Sequence, residues 1–120
     1  MVEKIYIPTF RRVDSQITFN SLPDKYKEKT ILVVQEHERP QHKHDVEYLI
    51  VGDNIGIAKT RKEIIYHAGK SRFCLYDDDV KFYRRNIKYT GLESDMEGSK
   101  RLMNEKDFDE MFDLFNSWMD

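Results

Sequence analysis

Three consecutive aspartates, Asp77, Asp78 and Asp79, follow the apolar run Phe73-Cys74-Leu75. Side chains two apart on an extended chain point to one side, so Asp77 and Asp79 can converge if strand geometry persists through them. Two carboxylates held together repel each other unless one is protonated or a cation bridges them. A divalent ion that prefers oxygen ligands, Mg²⁺ or Mn²⁺, relieves that repulsion and can also neutralise a diphosphate. The alternative is a water-exposed acidic turn after a strand, which these three residues alone leave open.

A second constellation precedes the acids. Asn54-Ile55-Gly56-Ile57-Ala58-Lys59-Thr60-Arg61 links an expected strand to the start of an expected helix. Free backbone N–H groups and the helix dipole favour anions at such a start. Gly56 lets the backbone pass close to a ligand. Arg61, about one turn into the helix, offers a planar fork to a phosphate or to the acids. Alone, the segment is an ordinary turn with a surface arginine. It gains weight because an acid-tipped strand follows one helix later, bringing a cation, an anion-favouring helix start and a carboxylate pair to one sheet edge.

The elements that must position these groups can be followed along the chain. Residues 4–7 are a β-prone run stopped by Pro8. Residues 15–22 suit a short helix, with Asp14 as N-cap and Pro23 beyond its end. Residues 30–35 contain the uninterrupted run Ile-Leu-Val-Val, the pattern of a strand buried on both faces. Residues 36–45 are polar, contain Pro40 and suit a loop, and 46–51 form a third strand before the turn Gly52-Asp53-Asn54. Ile57, Ala58, Ile64, Ile65 and Ala68 recur at helical spacing, with Gly69 where a C-terminal cap belongs. Residues 71–76 make a fourth strand and 80–83 a further short one. A loop over 86–104 leads to an amphipathic helix over 105–118, carrying Phe108, Met111, Phe112, Leu114, Phe115 and Trp118. The alternation predicts an α/β fold: a mostly parallel, doubly wound, Rossmann-like sheet flanked by helices, with its core over 3–84. Such sheets bind ligands outside the carboxyl ends of their strands.

The bulk composition narrows the function. The chain has 120 residues, 39% of them hydrophobic, which suits one compact domain over 1–120. Charged residues make up 35% but nearly cancel, to a net charge of -2, so the basic excess of a nonspecific nucleic-acid binder is lacking. The single cysteine, Cys74, excludes an internal disulfide framework and fits a reducing compartment. The start lacks the apolar segment of a signal peptide, and no apolar run approaches the roughly 18 residues of a membrane span. The expectation is a soluble, cytoplasmic protein with no membrane partner.

Other features read more plainly. His37, His42 and His44 lack the usual spacing and fourth ligand of a zinc site and suit a solvated loop. Lys81, Arg84, Arg85 and Lys88, interleaved with Phe82, Tyr83 and Tyr89, could meet phosphates and stack on bases, or form a solvated edge strand. Cys74 reads as a structural residue between Phe73 and Leu75. Met111, Phe112 and Phe115 read as core or interface.

The combination resembles the family-2-like glycosyltransferases of GT-A fold. In that group an Asn-x-Gly-x-x-x-x-Arg segment opens a helix whose end, here Ala68-Gly69, leads to an apolar strand and an Asp-x-Asp motif. Here that stretch reads Arg72-Phe73-Cys74-Leu75-Tyr76-Asp77-Asp78-Asp79. Ile7-Pro8-Thr9-Phe10-Arg11-Arg12 is similar to the edge of the family's first strand, which lines the nucleotide-base pocket. Gln35-Glu36 is similar in place to the family's acidic base-contacting residue, with Glu36 replacing the usual aspartate and His37 the other register. Lys62 stands where the family commonly has asparagine. The resemblance spans residues 3–84. More narrowly, the chain resembles the TET-associated glycosyltransferases of phages, which add sugars to 5-hydroxymethylpyrimidines in DNA.

The resemblance implies a set of roles. Thr9 and Arg11 would contact the base and ribose of a nucleotide-sugar, and Glu36 would hydrogen-bond the base. Arg61 would steady the donor, with Asp77 and Asp78 also on the donor side. Asp77 and Asp79 would hold Mn²⁺ or Mg²⁺. The donor class would be a UDP-sugar such as UDP-glucose, and the acceptor a hydroxymethylated DNA base such as 5-hydroxymethylcytosine. A phage enzyme of this kind would work in the host cytoplasm. The general base of an inverting member lies downstream, so this chain is expected to be the N-terminal nucleotide-binding portion of a longer enzyme. The apolar face of its last helix, with Trp118, would then await a partner or a second copy.

Other families and functions fit less well. Haloacid-dehalogenase-like phosphatases and Toprim nucleases also place acids after a strand. The former usually put them on the first strand before a threonine, whereas here they tip the fourth strand and precede Val80. A nucleotidyltransferase would show a glycine-rich loop after the first strand, and Pro8-Thr9-Phe10-Arg11 has no glycine. A non-enzymatic nucleotide- or DNA-binding module, its acids purely structural, is the remaining alternative.

Overall fold

The strand Thr30–Gln35 (β2) is buried at all six positions. A strand with no exposed face needs neighbours on both edges and cover on both sides. In the computed structural model, which describes residues 2–85 and 100–119, Lys4–Pro8 (β1) lies parallel to one edge of β2, with Ile7 opposite Leu32. Glu47–Val51 (β3) lies parallel to the other, with Gln35 opposite Val51. Phe73–Leu75 (β4) joins β1, also in parallel, with Tyr6 opposite Leu75. The order β3-β2-β1-β4 is all-parallel, the α/β arrangement expected.

The helices follow from this order. Ile17–Ser21 (α1) and Asp24–Lys27 (α2) connect β1 to β2. Ile57–Ala68 (α3) carries the chain back from β3 across the sheet to β4. Right-handed connections running in opposite directions place their helices on opposite faces. Burial agrees. Tyr6, Ile31, Val33 and Val51 form one cluster with Ile64 and Ala68 of α3. The alternate residues Ile5, Ile7, Leu32 and Val34 belong to the other face and are equally buried. Phe19, Leu22 and Tyr26, around α1 and α2, are buried as well. The α3 helix ends at Gly69, whose φ of 59° is the left-handed value glycine adopts without strain.

Several boundaries differ from the sequence reading. The first helix begins at Ile17, and Gln16 rather than Asp14 precedes it, without a side-chain cap bond. Pro23 does not close that segment: it sits in extended conformation as the N-cap of α2, a place where its missing N–H costs nothing. Glu36–Gln41 forms a 3-10 helix inside the expected loop. The strand expected over 80–83 is Tyr83–Arg85 (β5), antiparallel to Lys100–Leu102 (β6). The expected loop over 86–104 therefore contains a strand, and its residues 86–99 lie outside the described residues.

The chain divides into two compact units, Met1–Val80 and Lys81–Asp120. In the second, Glu105–Met119 (α4) is the expected amphipathic helix. Its start is a reciprocal cap: Asn104 Oδ1 accepts from the Asp107 N–H at 3.0 Å and Asp107 Oδ2 from the Asn104 N–H at 2.9 Å. Phe82 and Phe108 pack edge-on at 4.9 Å. Among the described residues no helix is long and apolar enough to cross a membrane.

Leu32→Ala should lower the unfolding free energy by about 2–5 kcal/mol, the usual cost of emptying a fully packed site. Urea denaturation measures it, and a loss well under about 1 kcal/mol would contradict the two-sided burial of β2.

Candidate functional site

The acids depart from the strand pattern. The chain leaves β4 after Leu75 and turns at Asp78–Asp79, so strand alternation does not govern where their side chains point. Asp78 is the one drawn inward, its side chain 12% exposed against 52% for Asp79. The fully buried Thr18 of α1 holds this turn. Its N–H donates to the Asp78 carbonyl at 3.2 Å. Its hydroxyl donates to the Asp77 carbonyl and accepts from the Val80 N–H. Thr9, also fully buried, donates its hydroxyl to the Asp78 carboxylate and accepts from Gln16 Nε2 at 2.7 Å. Burial pushes the Asp78 carboxyl up and Asp79 adds to this, while Thr9 and the Arg12 guanidinium pull it back. Arg12 Nη1 stands 3.7 Å from Asp78 and 3.6 Å from Asp79.

A cavity of about 220 Å³ opens beside the turn, lined by Pro8 at the end of β1, Phe10 and Arg12 after it, Ile57 and Arg61 of α3, and Asp77 and Asp78 after β4. Strands β1 and β4 are the neighbours between which the chain order reverses, the point where open α/β sheets take their ligands. The structure thus brings Arg61 together with Asp77 and Asp78. Arg61 is exposed and makes no ion pair among the described residues. Gly56 has φ 88°, and a Cβ there would meet nothing within 4 Å. Backbone conformation, not crowding, is what calls for glycine at this helix start.

A second, more open cavity of about 550 Å³ lies between the ends of β1 and β2, lined by Arg11, Arg12, Asp14, Ser15, His37 and Glu38 among others. Glu38, not singled out from the sequence, is its organising group. Only 3% exposed, it accepts the Arg11 N–H on both carboxylate oxygens, at 3.1 and 2.8 Å, and Gln35 Nε2 on one of them at 2.5 Å. Arg11 takes a left-handed φ of 62° at this contact. Its side chain stays exposed, as does that of Glu36. His37 Nδ1 lies 2.6 Å from Asp53 Oδ1, and this contact pulls the Asp53 carboxyl down. His42 is buried apart from it and His44 stacks near Phe19. Among the described residues no three histidines, cysteines or acids gather as a metal cage would.

The remaining candidates are accounted for in place. Phe82 is buried, and Arg84 pairs with Asp107 at 2.9 Å and with Glu110. Lys88 and Tyr89 lie outside the described residues. Cys74 is half-buried, and burial pushes its thiol up.

A family model described as TET-Associated Glycosyltransferase matches residues 3–120. Neither a curated protein nor a solved structure matches the chain.

Thr18→Val should cost about 1–3 kcal/mol in urea denaturation, because it removes the acceptor of the buried-side Val80 amide. Wild-type stability would show that the acid turn holds without Thr18. Asp78 gives a pH signature. Its raised carboxyl means that ionised Asp78 is disfavoured in the folded state, so its cost is felt at neutral pH and vanishes once both states are protonated in acid. Asp78→Asn should therefore gain more in Tm over wild type at pH 7 than at pH 3. A pH-independent difference in thermal melts would rule this out.

Proposed function

The chain belongs to the TET-associated glycosyltransferases, and on that premise we propose that it transfers a sugar from a UDP-sugar such as UDP-glucose to a hydroxymethylated base in DNA. The observation that carries the donor half of this reading is the cavity at the switch point, where Arg61 and two of the three aspartates line one space. Apolar walls with a few fixed polar groups are what a nucleoside requires. Pro8, Phe10, Ile57 and Leu75 supply the walls, Asp77 suits ribose hydroxyls, and Arg61 suits the anionic side of the donor. Arg11 lines the larger cavity instead, and Glu36 lines neither. Thr9 acts from behind, by fixing Asp78.

The exposed acids of the turn are the candidate ligands of a divalent metal. Asp77 and Asp79 belong to exposed positions of the turn, and Mg²⁺ or Mn²⁺ is commonly held by one or two carboxylates with substrate phosphates and water completing the shell. When bound there, the ion would neutralise charge on the leaving diphosphate. Arg61 contributes in the same sense, as a preorganised cation at a site where negative charge develops. A general base for the acceptor hydroxyl is not assigned to any residue of this chain.

Calorimetric titration of UDP-glucose with Mn²⁺, and again with EDTA, tests the proposal. Binding should require the metal and be largely lost in Asp79→Asn. Metal-independent binding, or no binding by UDP-glucose and a panel of other nucleotide-sugars, would overturn it.

A further inference from the structure

Arg12 is the one residue shared by the linings of both cavities. Resting on the donor-site reading above, we infer that Arg12 is the diphosphate-gripping residue, and that without a metal it serves as the tethered counter-ion of the acid turn. Its Nη1 lies 3.7 and 3.6 Å from the carboxylates of Asp78 and Asp79. Those distances are too long for hydrogen bonds, and the arginine side chain is 47% exposed, so the pairing is screened and readily exchanged.

The backbone beneath it is held firmly. Gln16 Nε2 donates to the Arg12 carbonyl at 2.7 Å, and Glu38 fixes the preceding residue through its N–H. A fixed backbone with an exchangeable guanidinium is the arrangement of a movable cation. Two cations cannot share the same carboxylates without repulsion. Arg12 therefore gives up Asp79 when a divalent ion takes Asp77 and Asp79. Its planar fork is then free for phosphate oxygens, which it fits better than a point charge does. A nucleoside seated in the smaller cavity carries its diphosphate to the rim, and Arg12 stands on that rim. The sequence places Arg11 and Arg12 side by side; the left-handed turn at Arg11 separates their roles.

The test uses Arg12→Gln and Arg12→Lys, with thermal melts to check that each is folded. Mn²⁺ alone is titrated by electron paramagnetic resonance, and UDP by calorimetry at saturating Mn²⁺. Arg12→Gln should bind Mn²⁺ about two- to fivefold more tightly, because an exposed competing ion pair is gone. It should bind UDP roughly ten- to hundredfold more weakly, the worth of a charge-assisted contact. Arg12→Lys should restore wild-type Mn²⁺ affinity and recover UDP binding only in part. A merely structural arginine would lower both affinities together, and that result, or unchanged UDP binding in Arg12→Gln, overturns the inference. If wild-type protein binds no UDP with Mn²⁺, the donor-site reading itself has failed, and the inference falls with it.

Discussion

Parallel pairing around a strand with no exposed face sets the terms for everything else in the first unit. Once β2 is buried at every position, β1 and β3 must flank it and helices must cover both sides. With all four strands running the same way, their carboxyl ends meet along a single edge. That edge collects Thr9 to Arg12, Gln35 to Glu38, Gly52 to Asn54 and Asp77 to Asp79. It also concentrates unpaired backbone groups and several carboxylates, each expensive to leave unsatisfied near a core.

The edge meets that cost with buried polar side chains that each serve two strand ends. Gln35 donates through Nε2 to Glu38 and accepts through Oε1 from the Asn54 N–H at 2.8 Å, tying β2 to the turn after β3. Glu38 in turn receives the Arg11 amide, tying β2 to β1. Thr9 and Thr18 fasten the acid turn of β4 from the side of β1 and α1. Every strand end is thus linked to a neighbour through a side chain. Such networks gain strength in a low-dielectric setting only when each member is satisfied. The exposed groups Arg11, Glu36 and Arg61 stand on this frame, as does Asp79, which faces the Arg12 guanidinium at 3.6 Å.

How much of this was legible in the sequence depended on the range of the determining contact. Residues 30–35 and 57–68 were read with their boundaries because the signals are local: an unbroken apolar run, and helical spacing closed by Gly69. The acid turn and the Arg61 helix were legible as types and order. The α2 helix is not legible because Pro23 reads as a stop, although proline also suits a helix start. The β6 strand, Lys-Arg-Leu, carries no β signal of its own and exists through pairing with β5. Strand alternation does not persist past Tyr76, because bonds from Thr18, 59 residues away in sequence, bend the chain there. Glu38 and the separation of Arg11 from Arg12 depend on a contact spanning 27 residues, and nothing local announces it.

The Glu38 latch has a bearing on variation. Its carboxylate grips the amide of residue 11, not the arginine side chain, so the shape of the loop after β1 is indifferent to which side chain points outward from it. The left-handed φ favours asparagine or glycine at that position over branched residues. Positions 12, 14 and 15 carry no such restriction from the latch, yet all three line the larger cavity. Arg11 and Glu38 serve both latch and lining, but the other lining positions of this loop are separate from the latch, and changes of ligand preference can accumulate there without first unmaking the turn that presents them.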